Sequence, residues 1–376
     1  MAHVTRAEHR DRTRVRVLTA ARAEFLRHGY AHTSIDAVAA RAALSRGTVY
    51  THFPSKPALY LGVLTDHATS AALPAPETSA VTEAPGLAPS PAEAVRGFAD
   101  HWLRQLQPRD PEPCTDPGAV RVSALCADLL PLAVTSPPLR APLTGLSALT
   151  AAVLALALRD LDPRYPAADY RPIAETTIAT LLATTIAPWS TPHADLRYIP
   201  DQCAHHTTQI TSTATPAAVE AEPSKRGEDS AIAVGPLPWC PPSGHDLLHD
   251  TRAHLYRDQL LLYTGLRAAP AIMAQLAVLP ARTPLTLVVL CALDRDVEPL
   301  AQLLLGLTCR ALRASVPADA LPALQIVVDT ASTLALAARI LDPTADTLTA
   351  VTIADQLLTH HADGVAAVTA LLTGDR

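Results

Sequence analysis

At 376 residues, 49% apolar but only 4% aromatic, the chain has material for two or three cores built from Ala, Leu and Val, residues that suit closely packed helices. Its 14 glycines include no Gly-rich turn after a β-branched run, which argues against dinucleotide-binding and P-loop folds and leaves an all-α protein as the expectation. The net charge of −6 is unevenly placed: residues 1–67 hold ten Arg or Lys against five Asp or Glu, so a head of +5 precedes a body of −11, the layout of a DNA reader joined to a domain with another partner.

From Arg12 to His28 the apolar positions Val17, Leu18, Ala21, Phe25 and Leu26 recur at helical spacing, and Gly29 is placed to cap the end. Thr33 or Ser34 caps a short second helix that turns Ile35, Val38 and Ala39 inward and ends near Arg41. After a tight turn at Ala42-Ala43-Leu44, Ser45 caps a third helix, Arg46 to His52, with Val49 and Phe53 on its core side. Arg46, Gly47, Thr48, Tyr50 and His52 are left to face outward. They supply a cation, a position with no side chain to block close approach, two hydroxyls and a ring donor, a set suited to groove and phosphate contact. Two short helices joined by a turn of about three to four residues, with polar groups on the second, make a helix-turn-helix. A three-helix bundle with a merely solvated basic face is the bland alternative. Pro54-Ser55-Lys56-Pro57 then breaks the chain and starts a fourth helix reaching about His67, with Lys56 beside N-terminal N–H groups that favour a phosphate.

Gly29-Tyr30, Thr33-Ser34-Ile35, Val38-Ala39, Leu44 through Tyr50, His52-Phe53 and Ser55-Lys56, ending at Leu59, together resemble the N-terminal pattern of the TetR family of repressors over about residues 10–65. The resemblance implies that Thr33, Tyr50, His52 and Lys56 hold phosphates while Ser45, Arg46 and Thr48 lie nearest the bases. It also implies double-stranded operator DNA as partner and a small-molecule effector in the helical body, acting through the fourth helix. The sequence departs from the pattern twice. Ala43 stands where the family usually has Gly, and Pro57 replaces a usual acidic residue; neither removes a DNA-contacting group.

Residues 71–91 are rich in Ala, Pro, Ser and Thr, as in a flexible connection. Helical patterns resume over about 92–106, 118–130, 143–161 and 170–187. A polar, Pro-rich stretch at 206–245 separates a further helical region. The expected organisation is a head at 1–60, a ligand-binding and dimerisation bundle at 61–205, a linker at 206–245 and a second helical domain at 246–376. At a shift of 180 residues, Thr150 to Pro163 and Thr330 to Pro343 agree at ten of fourteen positions. Tandem duplication of a helical hairpin is one account, and coincidence in an Ala- and Leu-rich chain is the other. In the TetR family such a hairpin forms the dimer interface. The chain could therefore work as an ordinary homodimer, with two heads for a palindromic operator, or pack its two hairpins together as an intrachain pseudo-dimer.

Cys114, Cys126, Cys203, Cys240, Cys291 and Cys309 show no CxxC spacing, and the charged N-terminus does not resemble an export signal. Both point to a reduced, cytoplasmic protein. The uncharged run from Ala141 to Leu158 contains Pro142 and Gly145 and suits a buried helix better than a membrane span. His245 and His249, near Cys240 and His254, have a spacing that on a helix could place two imidazoles on one metal. No carboxylate or Cys pair completes the set, and Cys203, His205 and His206 make a weaker case still, so no metal or cofactor is expected. No nucleophile and base share a motif, so no enzyme is expected. Trp102, Trp189 and Trp239 suit packing more than a ligand cavity. The functional expectation is a ligand-controlled DNA-binding regulator, a repressor by resemblance. The alternative is a ligand-binding or protein-interaction module with a vestigial DNA head.

Overall fold

Val17, Leu18, Ala21 and Phe25 put one face of α1 (Arg6–His32) into the core. The helix is interrupted at Gly29, whose φ of 70° only glycine adopts without strain. The computed structural model describes residues 6–70, 88–106, 132, 137–186, 196–213, 232–271, 276, 279, 283–291 and 297–373. α2 (Ile35–Arg41) and α3 (Arg46–His52) follow, each capped by a serine whose side chain accepts an N–H: Ser34 from Ala37 and Ser45 from Thr48. α4 (Lys56–Ser70) closes the head by packing on α1, and the absence of a side chain at Gly62 lets Phe53 come close.

The body begins with α5 (Pro91–Leu106), entered through a capping box. The Ser90 N–H donates to Glu93 Oε2 at 2.8 Å, and the Glu93 N–H donates to Ser90 Oγ at 3.3 Å. α6 (Pro137–Leu161) and α7 (Ala167–Ile186) pack as a hairpin, and after a short 3-10 turn α8 (Ile199–Thr213) lies on α5. The uncharged run from Ala141 to Leu158 lies within α6. This helix is long and apolar enough to cross a membrane, yet Ala151 through Leu158 are all buried inside the fold.

The second half overturns the all-α expectation. Strands β1 (Ile232–Pro238), β4 (Gln259–Gly265), β5 (Leu285–Leu290), β6 (Leu324–Asp329), β7 (Leu348–Ala354) and β8 (Leu357–Asp363) form a six-stranded sheet in the order β1-β8-β7-β4-β5-β6. β4, β5 and β6 are parallel, and β4, β7, β8 and β1 are antiparallel neighbours. A small ribbon of β2 (His245–Asp246) and β3 (Thr251–Arg252) sits beside it. The helices of this unit include α9 (Glu298–Ser315) between β5 and β6, the short α10 (Thr333–Ala337) and α11 (Gly364–Thr373).

The strands escape a helix-or-strand pattern for a physical reason. A strand buried on both faces has no polar-apolar alternation, and in Leu-Thr-Leu-Val-Val-Leu of β5 every residue is buried. A short apolar run of this kind cannot be told from a buried helix by its period. The expected second helical domain at 246–376 is therefore a mixed sheet with helices, and the hairpin required by an intrachain pseudo-dimer has no counterpart among the described residues. The expected linker at 206–245 holds the end of α8 and all of β1. Residues 214–231, the helix expected at 118–130 and Trp189 lie outside the described residues.

The sheet unit and the helical body share a core. α9 buries Leu300, Leu303, Leu304, Leu307 and Leu312, and it packs on α4, α5 and α6. Hydrophobic residues also cover the opposite face of the sheet, among them Trp239, Leu261, Tyr263, Val288 and Leu334. Two further contacts join the units: a Cβ on Gly145 of α6 would lie 1.8 Å from the Leu266 carbonyl oxygen, and one on Gly97 of α5 would lie 3.0 Å from Ser315 Cβ.

Candidate nucleic-acid interface

The turn between α2 and α3 sets the direction of the third helix. Its Ala43 has φ 51°, in the left-handed region, at the position where the sequence departs from the usual glycine. Arg16 on α1 pins this turn, donating from Nη2 to the Ala42 carbonyl at 2.7 Å. Val49 is the buried residue of α3, and Phe53 just beyond it is also buried. The opposite edge faces solvent.

On that edge Ser45 Oγ caps the helix and lies 2.8 Å from Thr48 Oγ1. Arg46 donates to Tyr50 Oη at 3.4 Å and stacks on its ring at 5.5 Å, which holds both side chains in line along the helix. Arg46 also meets Asp36 on α2 at 3.3 Å. Both partners are more than half exposed, so the pair is weak and easily exchanged for another anion. The neighbouring phenol and carboxylate raise the Arg46 pKa further, keeping it cationic. Gly47 is exposed, and an added Cβ there would meet nothing nearer than Ser45 Oγ at 3.8 Å.

His52 ends α3 partly buried. Its pKa is lowered, first by burial and then by the positive charges of Arg10 and Arg14. Arg14 lies over the Phe53 ring at 4.7 Å. Sequence reading passed over these α1 arginines. Their signal was the 10, 14 spacing, one helical turn apart, on a helix whose other face carries the core. Lys56 opens α4, donates to the Ala31 carbonyl at 3.2 Å and sits 4.5 Å over the Tyr30 ring.

Thr33 is placed differently from the rest. It is 4% exposed, and its hydroxyl lies 2.8 Å from the Gly29 carbonyl and 3.1 Å from that of Glu24. It stabilises the connection from α1 to α2 and is not part of the exposed edge. Ser45, Arg46, Gly47, Thr48 and Tyr50 are brought together on α3, with His52 and Lys56 flanking them.

The remaining sequence candidates have structural roles. His245 and His249 lie in the β2–β3 ribbon and its turn, where a helix was expected. His245 Nε2 is 3.2 Å from Asp250, and His249 Nδ1 is 2.7 Å from the buried Asp246. Among the described residues no three His, Cys, Asp or Glu groups converge as metal ligands. Trp239 is buried and donates from Nε1 to the Leu255 carbonyl at 2.7 Å, while Trp102 packs against Phe98. Burial pushes the Cys203 thiol up to about 11 and that of Cys309 up to about 12, so both stay protonated and inert at neutral pH.

Residues 17–63 match the family model described as bacterial regulatory proteins, tetR family. The matched segment begins inside α1, ends inside α4 and includes the whole of α2 and α3. No curated protein matches the chain.

Proposed function

We propose that this chain, a TetR-family DNA-binding regulator by its N-terminal head, represses transcription by laying α3 in the major groove of an operator and is released by a small molecule bound in the remainder of the chain. The observation that carries this reading is the exposed edge of α3: a serine-capped helix with one buried residue and with Arg46, Gly47 and Tyr50 open to solvent. Arg46 is suited to a base edge, being a bidentate donor at the N-terminal end of a recognition helix. Lys56, Tyr50 and His52 flank it at positions suited to phosphates, and Arg10 and Arg14 extend the positive surface along α1.

A palindromic operator takes two heads, so the working form is a homodimer acting in the compartment that holds the DNA. Because α6 is buried around its whole circumference over Ala151–Leu158, the helical hairpin offers a second copy mainly the outer face of α7, with Arg171, Glu175, Ala179 and Ala183.

Gel shifts against the gene's own upstream DNA, at several salt concentrations, test the proposal. Arg46→Ala should cost roughly tenfold to a hundredfold and flatten discrimination between operator and mismatched sites. Lys56→Ala should weaken binding to all sequences alike and make the salt slope shallower by about one counterion. If neither variant changes binding, the assigned contact surface on α3 and α4 is wrong; if the wild-type chain shows no salt-dependent shift, the head is vestigial.

A further inference from the structure

Where α9 meets the edge of the sheet there is a cleft of about 630 Å³, within the range of roughly 300–1,000 Å³ that holds a drug-sized molecule. Its walls come from Thr65 on α4, from Gly306 and Arg310 on α9, and from Asp329 at the end of β6 with Thr330, Ala331 and Thr333 beyond it. β6 is the outermost of the three parallel strands, and in open α/β sheets ligands gather outside the carboxyl ends of such strands.

The ionisable groups facing this cleft are His245, Asp250, Asp329, Arg310 and Arg313. Most are already engaged. Asp329, 3% exposed, accepts the N–H groups of Thr333 at 3.0 Å, Leu334 at 3.0 Å and Ala335 at 2.9 Å. Asp250 lies 3.2 Å from His245 and 3.6 Å from Arg313, and Arg313 also donates to the carbonyls of Leu247 and Leu248.

Arg310 differs from these. Among the described residues no carboxylate lies within ion-pair distance of it, and its Nε donates to the neutral Gln105 amide oxygen at 2.7 Å. Its terminal nitrogens lie beside Gly306, 3.7 Å from where a Cβ would be, so the absence of a side chain there leaves room next to the guanidinium. Burial, and then the charge of Arg313, lower its pKa. Asp250 offsets this only from beyond ion-pair distance. A partly buried guanidinium with no carboxylate in contact is unfavourable, and its planar fork is suited to an oxyanion.

We propose that the cleft between α9 and the carboxyl end of β6 is an effector site for a small organic oxyanion, bearing phosphate or carboxylate and anchored by Arg310. Gln302, Thr330 and Thr333 supply a polar wall for the rest of the molecule. The inference rests on the reading of this chain as an effector-controlled regulator and names the effector's chemistry. The route to the head is short. Thr65 lines the cleft, and its hydroxyl lies 3.0 Å from the Pro299 carbonyl, tying α4 to the first turn of α9. A ligand that shifts α9 therefore acts on the helix that carries the DNA-binding unit.

Titration calorimetry of the full chain with pyrophosphate and, separately, with citrate at constant ionic strength tests the site and distinguishes phosphate from carboxylate. Saturable binding of either is expected, weakened at least about tenfold by Arg310→Gln and by Gly306→Leu. The first substitution removes the charge. The second fills the cleft while keeping Arg310 and favours the helix, so an unchanged or raised melting temperature excludes misfolding as the cause. Because the basic head could also take up these anions, heat that persists unaltered in Arg310→Gln overturns the site, as does the absence of saturable heat with both probes. Operator gel shifts of the same proteins without added anion would remain intact in either case, so failure of the site is distinguishable from failure of the regulator reading.

Discussion

α3 and α9 use their surfaces in opposite ways. The seven-residue α3 buries Val49, whereas α9 buries twelve of its eighteen residues between the sheet and the helical body. A helix with one buried residue leaves its other side chains available to a partner from outside. A helix buried on nearly every face instead ties three layers together, and nothing in it moves without its neighbours. α4 lies between these extremes, packed on α1 in the head and on α9 in the body, so a displacement of the body would reach the head through it. The contrast yields a series of tests.

The largest effect is expected where the body meets the sheet unit. In Gly145→Val, the new side chain begins 1.8 Å from a backbone oxygen at Leu266 and must push α6 away. Overpacking against main chain should cost about 3 kcal/mol or more, seen as a lower midpoint in urea unfolding followed by circular dichroism. The head, held mainly through α1 and α4, should still shift operator DNA at low temperature. An unaltered midpoint would mean that α6 and the Leu266 turn are not in contact, and the shared core would have to be abandoned.

The same contrast explains what could be read from the sequence. In the head, serine caps, the Gly29 break and the spacing of Val17, Ala21 and Phe25 are local signals, and each names its structure without reference to anything distant. The sheet lacks such signals, because β4, β5 and β6 are covered on both faces and their pattern depends on partners far along the chain. The segments Thr150–Pro163 and Thr330–Pro343 make the point most directly. Despite their ten shared positions, the first is helical to Leu161, while the second leaves β6, passes Ser332 at φ 55°, forms only Thr333–Ala337 as helix and reaches Arg339 at φ 65°. Asp329 accounts for much of the difference, since its carboxylate takes the first N–H groups of the short helix and fixes it against the strand end. At the candidate interface, the solvent-facing edge of α3 and the place of Lys56 at the start of α4 were legible as positions. The closeness of Arg10 and Arg14 to His52 was not, because only the folded head brings α1 beside it.

Gly47→Ala separates stability from binding on the exposed helix. An added methyl has room in the free protein, so the helix should gain up to about 1 kcal/mol. If α3 lies in the groove as proposed, the same methyl would crowd the duplex, and affinity should fall about tenfold, or roughly 1.4 kcal/mol. A thermal melt and a gel shift moving in opposite directions would support α3 as the groove helix. Unchanged affinity would place Gly47 away from the duplex.

A smaller gain is expected at the turn that aims α3. Ala43→Gly relieves a left-handed alanine, worth about 1–2 kcal/mol, and loses about 0.5–1 kcal/mol to the greater freedom of glycine in the unfolded chain. The net stabilisation should be about 0.5 kcal/mol, measured as a slightly higher unfolding midpoint with operator affinity unchanged. Destabilisation would show that the turn does not hold its positive φ in solution.

The smallest effect is a proton linkage at His52, which joins the buried and exposed sides of the head. Its folded pKa lies below the ordinary histidine value of about 6.5 because of burial first, with Arg10 and Arg14 adding to the shift. Above that ordinary value the ring is neutral in both folded and unfolded chains and contributes nothing to the pH dependence. As pH falls below it, the unfolded chain takes up the proton first, so this group lowers stability toward acid. Bound phosphates would act in the other direction, screening both arginines and favouring the imidazolium. Operator affinity should therefore rise about two- to threefold between pH 7.5 and 6 while stability falls, and His52→Gln should reduce both slopes. Parallel pH slopes for the wild type and the variant in the binding assay would remove His52 from the phosphate contacts and leave Lys56, Arg10 and Arg14 to hold the backbone.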